Sequence, residues 1–219
     1  MATRVDAVKD VVRGWFKDLA YRAGLRVSRL TVPEFLEPLL HRQLDRKGRL
    51  VFVQVGGNDG RSFDPIYRFV MRHRDRVSGV IVEPVPEYFR ELRKSYRGHP
   101  GVTTVNAAIH AHEREMTIYR VDSSRLNSLP SWAKGSASFN LAHLQRLNLS
   151  PEAIVAERVP CITLDELVET HLPTGAAAEL DLLQVDTEGY DAEIIRTIDF
   201  DRVSPAIIRF EHGVGQGML

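Results

Sequence analysis

The sequence predicts an α/β domain with a mainly parallel β-sheet and helices on both faces. Short apolar runs rich in β-branched residues recur along the 219-residue chain, as in strands that are buried on both faces. Segments with helical spacing stand between these runs. A strand, a helix and a strand at this spacing form a crossover unit, which places consecutive strands parallel in one sheet.

Composition restricts the size of the domain and its partners. A chain of 219 residues with 43% hydrophobic and 26% charged residues fits one globular domain with one site. Lys and Arg total 29, as do Asp and Glu, so the chain has no net charge. It therefore has no overall positive potential that would favour binding to nucleic acid or to an anionic membrane. The single cysteine, Cys161, rules out an internal disulfide and is predicted to be a buried apolar residue.

Residues 1–48 are predicted to form an N-terminal helical extension. Apolar residues from Val5 to Leu19 recur at three-and-four spacing, which favours a helix packed on its own domain over a membrane-surface helix. A second helix is predicted from Pro33 to Leu44. No apolar run at the start is long enough for a signal peptide or a membrane span, so we expect a cytoplasmic protein.

Residues 49–219 are predicted to form the domain that carries the site. Its first half contains strand 50–55, helix 65–73, strand 79–82, helix 86–96 and strand 102–106. Its second half contains a helix capped by Thr163, strand 180–185, a helix from about residue 192 and strand 206–210.

An insertion at about residues 122–160 interrupts this alternation. It follows a more exposed predicted strand, 116–121, and is rich in Ser and Asn. Two helical segments are predicted within it, at 141–147 and 151–156. Its place in the chain predicts a lid over the loop end of the sheet.

The residues at the strand ends carry the chemistry, because ligands of open parallel sheets bind outside the carboxyl ends of the strands. The five predicted ends are Gly56-Gly57-Asn58-Asp59-Gly60, Glu83, Asn106, Asp186-Thr187-Glu188-Gly189 and Glu211-His212. Four of the five include an acid. The sequence thus predicts an acidic ligand site at this edge of the sheet.

The glycine-rich turn at 56–60 separates two classes of cofactor. A dinucleotide fingerprint, G-x-G-x-x-G, would need glycine at Asn58 and Arg61, and Asp59 would oppose a pyrophosphate. The cationic sulfonium and ammonium of S-adenosylmethionine suit Asp59 and the neighbouring acids instead. Glu83 is placed to accept hydrogen bonds from both ribose hydroxyls. The expected cofactor is therefore S-adenosylmethionine rather than NAD.

Five blocks of the sequence read VFVQVGGNDG, GVIVEPVPEYF, VNAAI, VPCITLDEL and LDLLQVDTEGYDAEII. In this order they resemble the FkbM family of methyltransferases, and the resemblance extends from about Leu50 to His212. It implies a Rossmann-like class I methyltransferase fold. It also implies methyl transfer to a hydroxyl group, mostly of sugars, polyketides or related metabolites.

The resemblance also implies which residues bind the cofactor. It places Gly56, Asn58 and Gly60 around the methionine part, Glu83 on the ribose, and Asn106 with Ala107 near the adenine. Asn58 stands where class I enzymes generally have glycine, and its side-chain amide is expected to reach the cofactor carboxylate.

Class I methyltransferases usually complete the sheet with two further strands, an antiparallel pair. Only seven residues, Gly213–Leu219, follow His212, whereas a strand alone takes about 5–6 residues. We therefore expect five core parallel strands without that pair. The exposed edge would be covered by the N-terminal helices or by a second chain in a homodimer.

Asp186, Glu188 and His212 are the candidate catalytic residues. Methyl transfer to a hydroxyl is an in-line displacement, so a protein group must orient the acceptor and take its proton. A helix N-terminal acid cluster is the alternative for residues 186–189, and a structural hydrogen bond is the alternative for His212. A divalent metal bound by the two carboxylates stays open but is not favoured.

These observations predict an S-adenosylmethionine-dependent O-methyltransferase that acts on a small hydroxylated acceptor. The insertion at 122–160 would be the acceptor lid. A non-catalytic S-adenosylmethionine-binding or nucleotide-binding module is the alternative from another class. An NAD-linked oxidoreductase comes third, because two of the fingerprint glycines are missing.

Overall fold

The computed structural model describes residues 32–62, 64–129, 133–146, 149–173 and 179–210. The helix predicted at 5–19, the candidate base His212 and the residues after it lie outside this part of the chain. The chain divides into two compact units, residues 1–36 and 37–219, and both β-sheets lie in the second. The predicted division at residue 48 stays a prediction, because only residues 32–36 of the first unit are described.

The described residues contain α-helices and β-strands in an order close to the predicted one. The helices are α1 (Val32–Lys47), α2 (Tyr67–Arg72), α3 (Pro86–Ser95), α4 (Leu141–Arg146), α5 (Leu164–His171) and α6 (Asp191–Arg196). The strands are β1 (Leu50–Val55), β2 (Val77–Val82), β3 (Val102–Val105), β4 (Ala108–Ile109), β5 (Glu115–Val121), β6 (Ala137–Ser138), β7 (Ile154–Ile162), β8 (Leu182–Val185) and β9 (Ile207–Phe210). Within these ranges no helix combines the length and apolar character needed to cross a membrane.

The main sheet has the strand order β3-β2-β1-β8-β9, and every neighbouring pair is parallel. Val55, the last residue of β1, pairs with Val82 on one side and with Val185 on the other. The three central strands therefore end at the same level. The α/β, Rossmann-like fold class is confirmed, and the loops that follow these strands meet at one edge.

Helices cover both faces of this sheet. Odd-numbered residues of β1 belong to an apolar core that includes Leu167 of α5 and Ile194 of α6. Even-numbered residues face the other side, where Ile81 of β2 and Leu92 of α3 both lie beside Gly57. Burial on both faces explains why the central strands read as continuous apolar runs rather than as alternating patterns.

The predicted insertion contributes to a second sheet, with the strand order β4-β7-β5-β6. Strands β5 and β7 pair antiparallel from Glu115 opposite Pro160 to Val121 opposite Ile154. The helix predicted at 141–147 is confirmed by α4, but the helix predicted at 151–156 is wrong. Only a 3₁₀ turn, Pro151–Ala153, precedes β7, because the long ladder with β5 overrides the local helical signal.

Two local predictions are confirmed where β7 leads into α5. Cys161 is buried, with a free thiol. Thr163 caps α5: its hydroxyl accepts the Glu166 backbone N–H at 3.1 Å, and the Glu166 carboxylate accepts the Thr163 N–H at 2.9 Å. This reciprocal pair satisfies two N–H groups that a helix start otherwise leaves without partners.

Strand β9 is the outermost strand on its side of the main sheet within the described residues. The residues that follow Phe210 lie outside them. The expected cover of this edge, whether by the N-terminal helices or by a second chain, stays a prediction.

Gly56 fixes the turn that leaves β1. Its φ is +83°, and a Cβ atom at this position would lie 1.8 Å from the carbonyl oxygen of Asp186. The backbones that follow β1 and β8 therefore approach each other more closely than any side chain would permit.

Replacing Gly56 by alanine should destabilise the fold far more than its left-handed φ alone accounts for. Gly98→Ala is the matched control, because Gly98 has a φ of +78° and no atom within 4 Å of an added Cβ. The control should lose about 1–2 kcal/mol of unfolding free energy, the cost of a left-handed alanine. Gly56→Ala should lose at least about 2 kcal/mol more in urea unfolding, and equal losses would contradict the close approach.

Candidate functional site

A cavity of about 290 Å³ opens at the carboxyl ends of β1, β2 and β8. This is the edge at which ligands of open parallel sheets bind. Residues of all three strand ends line it, and so do residues of the second sheet and of the segment that joins β5 to α4. Its polar lining residues include Gln54, Asn58, Asp64, Glu83, Lys134, Ser138, Gln184, Asp186 and Glu188.

Glu83 joins the ends of β1 and β2. One of its carboxylate oxygens accepts the backbone N–H of Asn58 and the other accepts that of Val85, each at 2.8 Å. The Glu83 side chain lines the cavity and is otherwise buried. Burial raises the pKa of Glu83 to about 7, although both N–H groups favour the ionised form.

The predicted adenine residues, Asn106 and Ala107, follow β3 and differ in role. Ala107 lines the cavity. Asn106 lies outside the lining, where its side-chain amide donates to the carbonyl oxygens of Glu83 and Pro84 at 2.8 and 3.0 Å. Asn106 therefore positions the loop after β2, and any contact with the cofactor stays a prediction.

Asn58 continues the turn in a left-handed conformation, with a φ of +46°. It lines the cavity together with Gly56 and Gly57. Its side chain lies against Gly135 of the insertion, since a Cβ atom there would be 2.1 Å from the Asn58 Nδ2 atom. The turn after β1 therefore contacts the insertion at Gly135, where a larger residue would collide with Asn58.

Asp59 is paired inside the protein. Its Oδ1 atom accepts the N–H groups of Arg61 and Ser62, and its Oδ2 atom lies 2.7 Å from the Lys134 Nζ atom. Burial opposes ionisation, but Lys134 and the two N–H groups outweigh it and lower the pKa of Asp59. Asp59 lies outside the cavity lining, whereas Lys134 is part of it. Direct binding of a cofactor cation by Asp59 stays a prediction.

Gly60 also lies outside the lining, and the structure gives it a packing role. A Cβ atom at Gly60 would lie 2.5 Å from Leu92 Cδ1 and 3.1 Å from Tyr96 Cε2. Glycine is therefore needed for the turn to lie against α3 and the residue that follows it. Its predicted contact with the methionine part of a cofactor is not tested.

Asp186 and Glu188 follow β8 and line the cavity. The Asp186 carboxylate lies 3.5 Å from the Arg209 Nη1 atom of β9. The Glu188 carboxylate lies 3.2 Å from the Nε2 atom of His143 in α4, and the Ser138 hydroxyl donates to the Glu188 carbonyl oxygen at 2.8 Å. The insertion therefore holds Glu188 at both its backbone and its side chain.

The helix that follows this loop begins with a different acid. Asp191 is in the first turn of α6 and accepts hydrogen bonds from the Thr187 N–H and hydroxyl at 3.1 and 2.7 Å. This pair fixes the loop between Asp186 and α6. The acids in the first turn of α6 are Asp191 and Glu193, whereas Asp186 and Glu188 precede the helix and line the cavity. The catalytic role of Asp186 and Glu188 stays a prediction.

Sequence reasoning missed Lys134, Ser138, His143 and Arg209. The first three come from the insertion, and each contacts a candidate site residue far from it in the chain. Nothing in their local sequence distinguishes them from surface residues. His212 lies outside the described residues, and within those no group of three or more His, Cys, Asp or Glu side chains is arranged to hold a metal ion.

The model of the FkbM methyltransferase domain matches residues 54–217, about three quarters of the chain. The chain belongs to the FkbM methyltransferase family. No curated protein and no solved structure gives a significant match. All the described residues that line the cavity lie within the matched FkbM range. The cavity is therefore the candidate active site of a methyltransferase.

The raised pKa of Glu83 predicts a pH-dependent stability. The ordinary pKa of glutamate is 4.5. Between this pH and about pH 7, Glu83 is more often protonated in the folded FkbM domain than in the unfolded chain. The contribution of Glu83 to the free energy of unfolding therefore falls as pH rises through this window, and it is lowest above pH 7. Each pKa unit corresponds to about 1.4 kcal/mol.

A Glu83→Gln variant removes this titration. In urea unfolding at pH 5, 6, 7 and 8, the free energy of unfolding of the variant should rise relative to that of the wild type as pH rises. The expected rise is a few kcal/mol, about 1.4 kcal/mol per pKa unit. A Glu91→Gln variant, at an exposed position of α3, is the control for the loss of a surface carboxylate. A constant difference between Glu83→Gln and the wild type would contradict the raised pKa.

Proposed function

We propose that this FkbM methyltransferase uses S-adenosylmethionine and methylates a hydroxyl group of a small metabolite. The observation that carries the proposal is Glu83, a buried carboxylate that lines the cavity at the end of β2 and holds the glycine-rich turn by the Asn58 N–H. Family membership supports methyl transfer, and the position of Glu83 supports a ribose-bearing methyl donor.

The residues present fit this cofactor. Each carboxylate oxygen of Glu83 accepts one backbone N–H and retains a second acceptor position for a ribose hydroxyl. Gly56 and Gly57 bring backbone to the cavity without side chains. Asp186 and Glu188 also line the cavity, and carboxylates suit a sulfonium and an ammonium better than a pyrophosphate.

S-adenosylmethionine, when bound, supplies an electrophilic methyl group to the acceptor oxygen. Asp186 and Glu188 lie at the end of β8, where either carboxylate would accept the proton of the acceptor hydroxyl. His143 and Ser138 hold Glu188, and Arg209 lies beside Asp186. These neighbours orient the two carboxylates, and orientation is the main requirement of an in-line transfer.

Two other functions remain as alternatives. A non-catalytic module would bind S-adenosylmethionine in the same cavity without turnover, so only a methyl-transfer assay separates it from the enzyme. An NAD-linked oxidoreductase is disfavoured by Asn58 and Arg61 at the fingerprint positions. A divalent metal is not required by the proposal, and a cytoplasmic location and a homodimer stay predictions.

Calorimetry with S-adenosylhomocysteine, S-adenosylmethionine and NAD tests the cofactor assignment. The wild type should bind the two adenosyl compounds and not NAD. Glu83→Ala should weaken their binding by about 2–3 kcal/mol, because a charged acceptor for two hydroxyls is lost. The control Glu91→Ala, on the exposed face of α3, should bind like the wild type. Unchanged affinity of a folded Glu83→Ala variant would remove Glu83 from the ribose site.

Methyl transfer to a panel of hydroxylated metabolites tests the catalytic assignment. Asp186→Asn and Glu188→Gln should each lower kcat more than tenfold and leave S-adenosylhomocysteine affinity nearly unchanged, because both are assigned to the acceptor. Glu193→Gln, an acid of α6 outside the cavity lining, is the matched control. Loss of cofactor affinity in both variants would place the two carboxylates in the cofactor site instead.

A further inference from the structure

Positive and negative charges are unevenly distributed along the chain. Residues 41–100 contain 13 Lys and Arg but 7 Asp and Glu, whereas residues 101–219 contain 9 and 17. Within 41–100, 12 of the 13 cations are exposed, and the exposed acids are Asp45, Asp75 and Glu91. The zero net charge, from which no anionic partner is expected, therefore combines a basic stretch with an acidic one.

The exposed cations of the basic stretch lie mainly on three helices that adjoin one another. Helix α1 packs on α2, where the ring centroids of His41 and Phe69 are 5.1 Å apart. Helix α2 packs beside the end of α3, where the ring centroids of Tyr67 and Tyr96 are 5.5 Å apart. The basic face is defined as the exposed Lys and Arg side chains of these helices and of the loops that follow them, at residues 42–49, 68–76 and 90–97.

The basic face extends to the amino-terminal end of the main sheet. Each of the three helices precedes its strand, so the helices end near the points where β1, β2 and β3 begin. A cleft of about 340 Å³ lies at this end, and its lining includes Arg49, Arg74, Asp75 and Arg76. Arg49 also pairs with Glu179. Because guanidinium groups bind phosphate oxygens bidentately, this cleft suits a phosphate group.

The helix dipole accounts for only part of this charge. The last turns of α1, α2 and α3 contain basic residues, which the negative end of a helix favours. Arg68, however, lies in the first turn of α2, where the dipole disfavours a cation. Four cations of the basic face that form no ion pair with another described residue are Arg68, Arg76, Arg90 and Arg97. Like charges on one face repel each other, and an anionic partner removes that repulsion.

The form of the basic face favours a phospholipid surface over nucleic acid. Its cations lie on three adjoining helices rather than on one helix or ribbon that would enter a groove. No aromatic residue that the structure describes between 41 and 100 is exposed for base stacking. Leu39 is exposed on α1 and shares its outer side, at helical spacing, with the exposed Arg42 and Arg46. An exposed apolar residue beside arginines is typical of a helix at a membrane interface.

The sequence that precedes α1 has the same character. Residues 1–31 contain 7 Lys and Arg and 3 Asp and Glu. Apolar residues from Val5 to Leu19, with Trp15 and Phe16 among them, recur at helical spacing. A basic amphipathic pattern with aromatic residues is typical of segments that bind a membrane surface. The sequence before α1 and the basic face therefore favour the same partner.

We propose that the basic face binds the surface of an anionic phospholipid membrane. Lipid phosphates and carboxylates supply the negative charge, and binding of this peripheral kind needs no membrane-spanning helix. No residue of the basic face lines the cavity of the candidate active site. The proposal therefore does not depend on the proposed function, and binding through this face leaves the cavity free for its ligands.

Sedimentation of the full chain with vesicles tests this assignment. The chain should sediment with phosphatidylcholine vesicles that contain about 30% phosphatidylserine, and it should remain in solution with pure phosphatidylcholine. Raising the salt concentration from about 0.1 M to about 0.5 M should weaken binding at least about tenfold, because salt screens the charges.

The test variant combines Arg68→Gln, Arg76→Gln, Arg90→Gln and Arg97→Gln. It removes four cations of the basic face without breaking an ion pair among the described residues. Its affinity for the anionic vesicles should fall at least about tenfold, because each cation near such a surface contributes to binding. If the fourfold variant does not fold, Arg68→Gln with Arg90→Gln and Arg76→Gln with Arg97→Gln replace it as two double variants.

The matched control combines Arg114→Gln, Arg158→Gln, Arg196→Gln and Arg202→Gln. These four arginines are exposed and lie in the acidic stretch, so the control has the same net charge as the test variant. The surface ion pairs that it removes contribute little to folding. The control should bind the anionic vesicles as the wild type does.

Four results would overturn the proposal. The first is equal sedimentation with both kinds of vesicle, and the second is sedimentation with neither. The third is an equal effect of the test variant and the control, which would mean that net charge or the sequence before α1 governs binding. The fourth is tighter binding of a labelled duplex DNA or single-stranded RNA than of the anionic vesicles at the same salt concentration, which would assign the basic face to nucleic acid.

Discussion

The Glu83 carboxylate is the interaction on which the site depends. It accepts the N–H of Asn58 from the turn after β1 and the N–H of Val85 from the loop after β2. Asn106, after β3, holds the carbonyl oxygens of the same loop. The ends of three parallel strands are thereby fixed to one another. Burial of this acid lowers the stability of the fold and raises the pKa of Glu83 to about 7. Proteins commonly give up some folding stability in this way to hold a site in a fixed geometry.

Much of this arrangement could be predicted from the sequence, because its signals are local. Continuous β-branched runs identify strands that are buried on both faces, and Thr163 with Glu166 identifies the start of α5. Once the strands are known to be parallel, Gly56, Glu83 and Asp186 must meet at one edge. The family resemblance then adds methyl transfer, which the matched FkbM methyltransferase domain supports.

The insertion could not be predicted in the same way, because its structure and its contacts depend on distant residues. Strand β7 forms where a helical start was expected, since its partner β5 lies elsewhere in the chain. Lys134 neutralises Asp59 across 75 residues, and His143 contacts Glu188 across 45. From the sequence alone, Asp59 is predicted to contact a cationic ligand. In the structure, the protein supplies that cation itself.

The strand order of the main sheet also sets when the site appears during synthesis. Strand β1 pairs with β8, and the Val51 N–H donates to the Asp181 carboxylate across 130 residues of chain. A ribosome that adds about 5–20 residues per second needs roughly 7–26 s to cover this distance. During that interval β1 and β2 are complete but β8 is not, so the edge of β1 that faces β8 stays unpaired until the second half of the domain has been synthesised.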